Sequence, residues 1–258
     1  MSDVNAQAVL LKRIDYGDND LIVTLFIPNV GKLTVIAKSA KKSKKRFPGI
    51  LEHFNQLSVV YSQNRRGGLP LLKEATLHDA FINIRTDINK TAYAGYWVEL
   101  IHLWLEEGHA QDTLYYLLQE VLGALDKGEV SIQVLDIYFQ MKFLKLVGLQ
   151  PHLTSCCQCQ IQTDCLLSDE VMVSIKDGGI VCCDCSNLSD SFHKKLALSK
   201  GTLKQLIWIA ERHLPAAKRV RFSINALKET RDFLEAFVPY HVGRIPKSLK
   251  FIKRLRGQ

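Results

Sequence analysis

Two clusters of cysteines constrain the fold of this chain more strongly than any other feature of its sequence. They are Cys156-Cys157-Gln158-Cys159 and, 22 residues later, Cys182-Cys183-Asp184-Cys185. The outer members of each cluster form a Cys-x2-Cys pair, and such a pair makes a turn that directs two thiolates to one point. Four thiolates suit a tetrahedral, structural zinc ion, so the spacing predicts one zinc per chain on Cys156, Cys159, Cys182 and Cys185.

The remaining cysteines leave alternatives open. Cys157 and Cys183 each adjoin a predicted ligand, and Cys165 lies between the clusters. A Cys-x-Cys choice of ligands, two disulfides and reduced thiols without metal are the alternatives to the four-cysteine site. An odd total of seven cysteines, six of them clustered, is unlike a secreted disulfide framework and favours a reducing cytosol with a bound metal.

The residues between the clusters predict how the two pairs meet. Val171–Ile175 and Ile180-Val181 have the composition of short strands, and Asp177-Gly178-Gly179 lies between them as turn material. We therefore expect a β-hairpin that returns the second pair to the first, inside a zinc-binding module at about residues 152–188.

The first 80 residues have the alternating hydrophobic pattern of β-strands. Turn residues separate five short runs, and we expect strands at Gln7–Ile14, Leu21–Pro28, Lys32–Lys38, Leu57–Ser62 and Leu69–Thr76. Five strands in so short a stretch indicate a small closed barrel. An OB-fold has this strand count, and an SH3-like barrel is the competing topology that periodicity does not separate from it.

From about Asp79 the apolar residues recur with a helical period. Apolar stripes cover residues 93–104, 114–125 and 137–146, and Gly148 with Pro151 ends the last of them. Stripes at this spacing are typical of core packing. We therefore expect an α+β protein with an OB-fold at residues 1–80 and, at residues 81–258, an α-helical domain that carries the zinc-binding module.

Charge is distributed unevenly along the chain. The formal net charge is +8, with +5 on residues 1–80, −4 on residues 81–155 and +7 on residues 156–258. A basic excess favours a polyanionic partner. The chain has no apolar run long enough to cross a membrane and no signal-peptide pattern, so we expect a soluble, cytoplasmic protein without a membrane partner.

Catalytic signatures do not occur in the sequence. The phosphate-binding pattern G-x-x-x-x-G-K-[ST], the patterns G-x-G-x-x-G, G-x-S-x-G and H-E-x-x-H, and the His-x-Glu element of zinc deaminases are all missing. Four cysteine ligands would also leave no open position on the metal. We therefore expect neither an enzyme nor a small-molecule substrate.

The basic residues that point to nucleic acid are clustered in two predicted barrel loops. Six cations and an aromatic residue occupy ten positions, and a second cluster marks the tip of a predicted hairpin; the set is Lys38, Lys41, Lys42, Lys44, Lys45, Arg46, Phe47, Arg65 and Arg66. A lysine run is usually only a solvated loop. Loops of a small barrel, however, flank the face on which single strands commonly lie, so we expect phosphate contacts here and base stacking on Phe47. Phe26, Phe54 and Tyr61 are more typical of a barrel core.

A third basic stretch closes the sequence. It contains Arg244, Lys247, Lys250, Lys253, Arg254 and Arg256, and no acidic residue follows Glu235.

At this point the order of motifs resembles a known family. The N-terminal motifs are Tyr16-Gly17-Asp18-Asn19-Asp20, Thr24-Leu25-Phe26, Gly31-Lys32-Leu33, Ala37-Lys38 through Phe47, and Leu51-Glu52-His53-Phe54. The helices and cysteine pairs follow, with Gly178-Gly179 before the second pair, and then Tyr240-His241-Val242-Gly243-Arg244 and Lys247-Ser248. Together these motifs resemble RecO, a family of bacterial DNA repair and recombination mediators, over nearly the whole chain.

The resemblance implies a function without bond-breaking chemistry. Such a protein binds single- and double-stranded DNA, anneals complementary strands and helps to load recombinase onto strands coated by single-strand-binding protein. The implied partners are DNA, RecR, in some lineages RecF, and the acidic tail of single-strand-binding protein, in the bacterial cytoplasm at the nucleoid.

Two features depart from the family pattern. Ser39 stands where the family often has glycine, which predicts a different entry angle for the basic loop. The cysteine pairs are absent from some members, so the zinc prediction depends on the spacing in this chain alone.

Three functions from other classes remain as rivals. A zinc-ribbon transcription or translation factor with an OB-fold would bind RNA, a scaffold would bind only proteins, and a metal-dependent hydrolase would need an open ligand position.

Overall fold

Five N-terminal strands form a closed β-barrel. In the computed structural model, which describes residues 3–63, 67–188 and 195–257, they are β1 (Asp3–Tyr16), β2 (Asp20–Ile27), β3 (Gly31–Ala37), β4 (Gln56–Ser62) and β5 (Leu71–Asp79). Their order around the barrel is β1-β2-β3-β5-β4, and the β3–β5 pairing is parallel, through Ile36 and Leu71. This arrangement is an OB-fold, so the SH3-like alternative is wrong.

Strand β1 is longer than its sequence pattern predicts because it serves two neighbours. Its first half pairs with β4 and its second half with β2, and the register shifts between Leu10 and Lys12. Such an irregularity bends a strand, which allows one strand to take part in both sides of a barrel. The alternating apolar residues of all five strands meet inside the barrel, where Leu10, Val23, Leu25 and Val59 are fully buried.

The three helices that follow the barrel are α1 (Ile82–Arg85), α2 (Ile88–Trp104) and α3 (Asp112–Lys127). Helix α2 begins where the carboxylate of Asp87 accepts hydrogen bonds from the backbone N–H groups of Asn89 and Lys90. Two of its large aromatic side chains, Tyr96 and Trp97, are fully buried, which places this part of the apolar stripe in the core, whereas Trp104 at the end of the helix is half-buried.

The loop between α2 and α3 covers the edge of β3. The carboxylate of Glu107 accepts hydrogen bonds from the backbone N–H of Thr34, at 3.1 Å, and from its hydroxyl, at 2.6 Å. The N–H of Gly108 donates to the carbonyl of Lys32. The loop comes so close that a Cβ atom at Gly31 would lie 2.0 Å from the carbonyl oxygen of His109, so only glycine fits there.

The chain divides into two compact units. The first unit comprises residues 1–129 and 250–258, and the second comprises residues 130–249. The barrel and α1–α3 therefore belong to one unit. The domain boundary after residue 80 stays a prediction.

The second unit is helical with one small sheet. Its helices are α4 (Ile132–Leu146), α5 (Cys183–Leu188), α6 (Lys200–Glu211), α7 (Leu214–Ala217) and α8 (Ile224–Val242), and α9 (Lys247–Leu255) begins in it. The sheet consists of β6 (Glu170–Ser174), β7 (Gly179–Val181) and β8 (Lys195–Ser199), in the order β7-β6-β8. The predicted hairpin is thus confirmed as β6 and β7, whereas the pattern did not predict β8.

None of the helices in the described ranges combines the length and the apolar character that crossing a membrane requires.

Candidate metal centre and nucleic-acid interface

The four outer cysteines converge on one point in the second unit. The sulfur atoms of Cys156, Cys159, Cys182 and Cys185 all lie within 4.8 Å of one another, and the Cys159 and Cys182 sulfurs are 3.6 Å apart. In a tetrahedral zinc site with Zn–S distances of about 2.3 Å, the sulfurs are about 3.8 Å apart. The donor set and its spacing therefore fit a metal ion, and the predicted four-cysteine cluster is present.

The first cysteine pair lies on a turn that the backbone closes. The N–H of Cys156 donates to the carbonyl of Ile161, and the N–H of Gln160 donates back to the carbonyl of Cys156. Gln160 has a φ of 63°, the left-handed conformation that completes the turn. These bonds hold the Cys156 and Cys159 side chains on the same side.

The second pair is held against the first by an unusually close approach of β7. The N–H of Ile180 donates to the carbonyl of His152, and the N–H of Cys157 donates to the carbonyl of Ile180. A Cβ atom at Gly179 would lie 2.3 Å from the His152 carbonyl oxygen and 2.8 Å from the Cys157 sulfur. The absence of a side chain at position 179 therefore allows the two halves of the cluster to meet.

The pKa values of two of the clustered thiols, Cys156 and Cys185, are shifted in opposite directions. Burial raises the pKa of Cys156, but backbone N–H groups of Cys159, Cys182 and Gln158 donate to its sulfur and lower the pKa to about 6. The pKa of Cys185 is raised to about 12, first by its hydrogen bond with the Cys182 sulfur and then by burial. Because one thiolate disfavours the next, all four ionise together only beside a cation, which deprotonates a coordinating thiol outright.

The other three cysteines lie outside the cluster. Cys157 is half-buried beside β7, and Cys165 and Cys183 are exposed. All seven cysteines are in the described ranges, and each is a free thiol there, so the disulfide alternative does not apply to this structure.

In the first unit, the basic loop follows β3 and is well anchored. A short 3-10 turn (Ala40–Lys42) forms part of it. The Ser39 N–H donates to the Asp20 carboxylate at 2.7 Å, and the Lys41 N–H donates to the carbonyl of Asn19. These contacts join the loop to the β1–β2 turn.

The six cations of the loop fall into two groups. Lys41 forms an ion pair with Asp15 at 3.2 Å, and the Arg46 guanidinium donates to the carbonyl of Lys38 at 2.7 Å. The other four side chains are exposed and have no intramolecular partner within the described ranges: Lys38, Lys42, Lys44 and Lys45. Two cations therefore shape the loop, and four are available to a ligand.

Phe47 is not the exposed stacking platform that its place beside the charge run predicts. Its side chain is only 2 % exposed and belongs to the barrel core, with the Arg46 guanidinium 5.1 Å from its ring centroid. The ring is buried because the segment that carries it pairs with β5, where the N–H of Ala75 donates to the carbonyl of Arg46.

Phe26, Phe54 and Tyr61 are buried too, but only Tyr61 belongs to the barrel core as predicted, and the Phe26 ring packs against Tyr115 of α3. Tyr16, at the end of β1, is an exposed aromatic residue whose strand partner, Asp20, binds the loop through the Ser39 N–H; its sequence pattern did not single it out for stacking.

The second predicted cluster, Arg65 and Arg66, lies outside the described residues. In the C-terminal basic stretch, Arg244, Lys247, Lys250 and Arg254 are exposed, the last three on α9.

The backbone of Ser39 takes a conformation that is unusual for serine, while the different entry angle of the loop stays a prediction. It has φ 53° and ψ 30°, which is the left-handed conformation that favours glycine. The serine therefore adopts the backbone geometry suited to the residue it replaces.

Comparisons with known proteins agree with the motifs. The family profile "Recombination protein O N terminal" matches residues 1–81, and "Recombination protein O C terminal" matches residues 85–250. A DNA repair protein RecO from Desulfatibacillum aliphaticivorans is 43% identical over 99% of this chain and 98% of its own length. Another from Desulfosudis oleivorans is 40% identical over 99% of each chain, and one from Syntrophus aciditrophicus is 32% identical over 97% of this chain and 95% of its own.

Proposed function

We propose, since this chain belongs to the RecO family of DNA repair and recombination proteins, that it binds single- and double-stranded DNA and anneals complementary strands. We also propose that it helps to load recombinase onto strands coated by single-strand-binding protein. The observation that carries the proposal is the set of four exposed lysines, without a partner among the described residues, on an anchored loop of an OB-fold. OB-folds commonly bind single strands along a face bordered by such loops.

The mechanism depends on phosphate neutralisation. Lysine side chains that have no intramolecular partner can contact phosphates and release the counterions condensed on the strand, which favours binding. Two strands whose phosphates are partly neutralised repel each other less, so complementary bases meet and pair more readily. Tyr16, 53 % exposed beside the loop, adds a surface on which a base can stack.

The four-cysteine centre is proposed to bind one structural zinc ion. Zinc supplies stability when four thiolates coordinate it, and four protein ligands leave no position for substrate. The protein would then act without making or breaking covalent bonds. The partners proposed from the family are RecR, in some lineages RecF, and the acidic tail of single-strand-binding protein, in the bacterial cytoplasm at the nucleoid.

The test is a charge reversal restricted to the four free lysines. We expect Lys38, Lys42, Lys44 and Lys45→Glu to abolish annealing of complementary oligonucleotides, with and without single-strand-binding protein, while circular dichroism and metal content stay unchanged. Lys41 is left intact because a glutamate there would face Asp15, its ion-pair partner, and destabilise the loop.

The matched control converts the same four lysines to arginine, which keeps the charge and should keep annealing. Normal annealing by the glutamate variant would remove the loop from the mechanism. Preferential binding of RNA without DNA annealing would instead favour a transcription or translation factor.

A further inference from the structure

A cavity of about 260 Å³ lies beneath the basic loop in the first unit. Loop residues Ala40, Lys41 and Ser43 form one side, and the segment that carries Phe47 and Leu51 forms another. The cavity therefore opens where the proposed function places the phosphates of a bound strand. Its size is slightly below the roughly 300–1,000 Å³ of pockets for drug-sized ligands, which suits one nucleobase and is too small for a base pair.

The floor of the cavity is apolar and fixed. Leu21, Ala40, Phe47 and Leu51 line it, and each is between 2 and 6 % exposed because its outer side packs into or against the barrel core. An apolar floor disfavours a charged phosphate and accepts the uncharged ring of a nucleobase more readily.

The polar groups at the rim suit the edge of a base and disfavour a phosphate. Arg13 donates to the Leu51 carbonyl and to one oxygen of the Glu52 carboxylate, and Lys41 is paired with Asp15. Both cations that line the cavity therefore already have acidic partners, and the Glu52 carboxylate would repel an anion.

Hydrogen-bonding capacity nevertheless remains at this rim. Within the described ranges, the second oxygen of the Glu52 carboxylate has no donor. The Ser43 oxygen accepts from the Arg46 N–H at 3.1 Å, which leaves the Ser43 hydroxyl proton free to donate. A nucleobase edge carries both donors and acceptors and can satisfy these two groups.

We propose that this cavity receives one unpaired base of a DNA strand whose phosphates lie on the exposed lysines of the basic loop. The inference rests on the proposed function and deepens it. The loop would bind the phosphate backbone of the DNA strand, and the cavity would bind one of its bases only when that base is unpaired. A base within a duplex has its edge engaged and its neighbours stacked, so it does not enter. The cavity thus favours single-stranded DNA over double-stranded DNA.

The experiment compares a deoxycytidine 12-mer with an abasic 12-mer of the same backbone charge. For the wild-type protein we expect about tenfold weaker binding of the abasic strand, the size of a base contact. In Ser43→Phe the new ring fills the cavity, and that ratio should fall to about threefold or less. Thr76→Phe, which adds the same ring at an exposed position of β5, should keep the wild-type ratio. If Ser43→Phe fails to fold, Ser43→Leu carries the same expectation.

Three outcomes separate the claims. Equal binding of both oligonucleotides, or an unchanged ratio in the filled variant, overturns the cavity proposal and leaves the proposed function standing. No salt-dependent binding of either oligonucleotide overturns the proposed function itself. Free dCMP at micromolar concentration should not displace the strand, and displacement would assign the cavity to a mononucleotide instead.

Discussion

Ser39, at the start of the basic loop, has a backbone conformation that is unfavourable for serine. This conformation is left-handed, and within the described part of the chain the side chain makes no capping hydrogen bond to the following 3-10 turn. A residue with a Cβ atom pays about 1–2 kcal/mol in that conformation, whereas glycine adopts it freely. The loop is therefore held in place by the contacts of its neighbours, at a local cost.

Replacing Ser39 by glycine should relieve this strain. We expect Ser39→Gly to raise the free energy of unfolding by about 0.5–1 kcal/mol, since the relief exceeds the extra entropy that glycine loses on folding. Urea denaturation measures the change. Ser39→Ala is the control, because alanine keeps the Cβ atom and should give no gain. Equal stability of the glycine and alanine variants would contradict the explanation.

Phe47 marks the limit of prediction at the residue scale. Sequence proximity to lysines suggested exposure, yet the return of the chain to the barrel buries the ring. No feature of the sequence indicates that Arg13 and Glu52 meet at a cavity. They are 39 positions apart and meet only because β1 and the segment before β4 lie side by side.

At the scale of elements, the cysteine module combines a turn, a hairpin and a short helix around one point. Its four sulfurs are brought together by backbone bonds from segments more than 20 residues apart. Spacing predicted the turn pairs and the hairpin because both are local. Strand β8 was beyond prediction, since Lys195–Ser199 has little strand pattern of its own and gains its conformation by pairing with β6.

Replacing one cysteine of the cluster should therefore reduce both the metal content and the stability of the protein. We expect wild-type protein to contain one zinc per chain by elemental analysis and Cys159→Ser to lose it, with a fall in stability of several kcal/mol or more. Cys165→Ser is the matched control, because that exposed thiol lies outside the cluster. A Cys159→Ser protein that is as stable as the wild type would show that the metal contributes nothing to folding.

Over the whole molecule, the barrel and the helical stretches followed from periodicity, whereas the distribution of usable charge did not. A net charge of +8 gives no information about which cations are already paired. In the structure, Lys41 and Arg46 have intramolecular partners within the loop and the adjoining strand, whereas the other four lysines of the loop are available to bind phosphates. Partner contacts and paired ions depend on side-chain geometry, which composition and spacing do not encode.

Binding of DNA through specific loop lysines and binding through the overall net charge predict different dependences of the affinity on salt concentration. If the loop contacts phosphates, each lost contact reduces the slope of log affinity against log salt by about 0.7 for single strands. Lys42 and Lys44→Ala should therefore reduce the slope by about 1.4, while Lys127 and Lys228→Ala, at exposed helical positions elsewhere, should leave it unchanged. Fluorescence anisotropy across a salt series measures both. Equal reductions would mean that the protein binds DNA through its overall charge.

The loop between α2 and α3 has a further consequence for the barrel. Beyond its single step with β5, the edge of β3 would offer unpaired N–H and C=O groups to any passing strand. Glu107 and Gly108 occupy those groups at Thr34 and Lys32, and the carboxylate adds a charge at the same place. The contacts that fix the loop thus also protect the barrel from edge-to-edge aggregation with other copies of the protein.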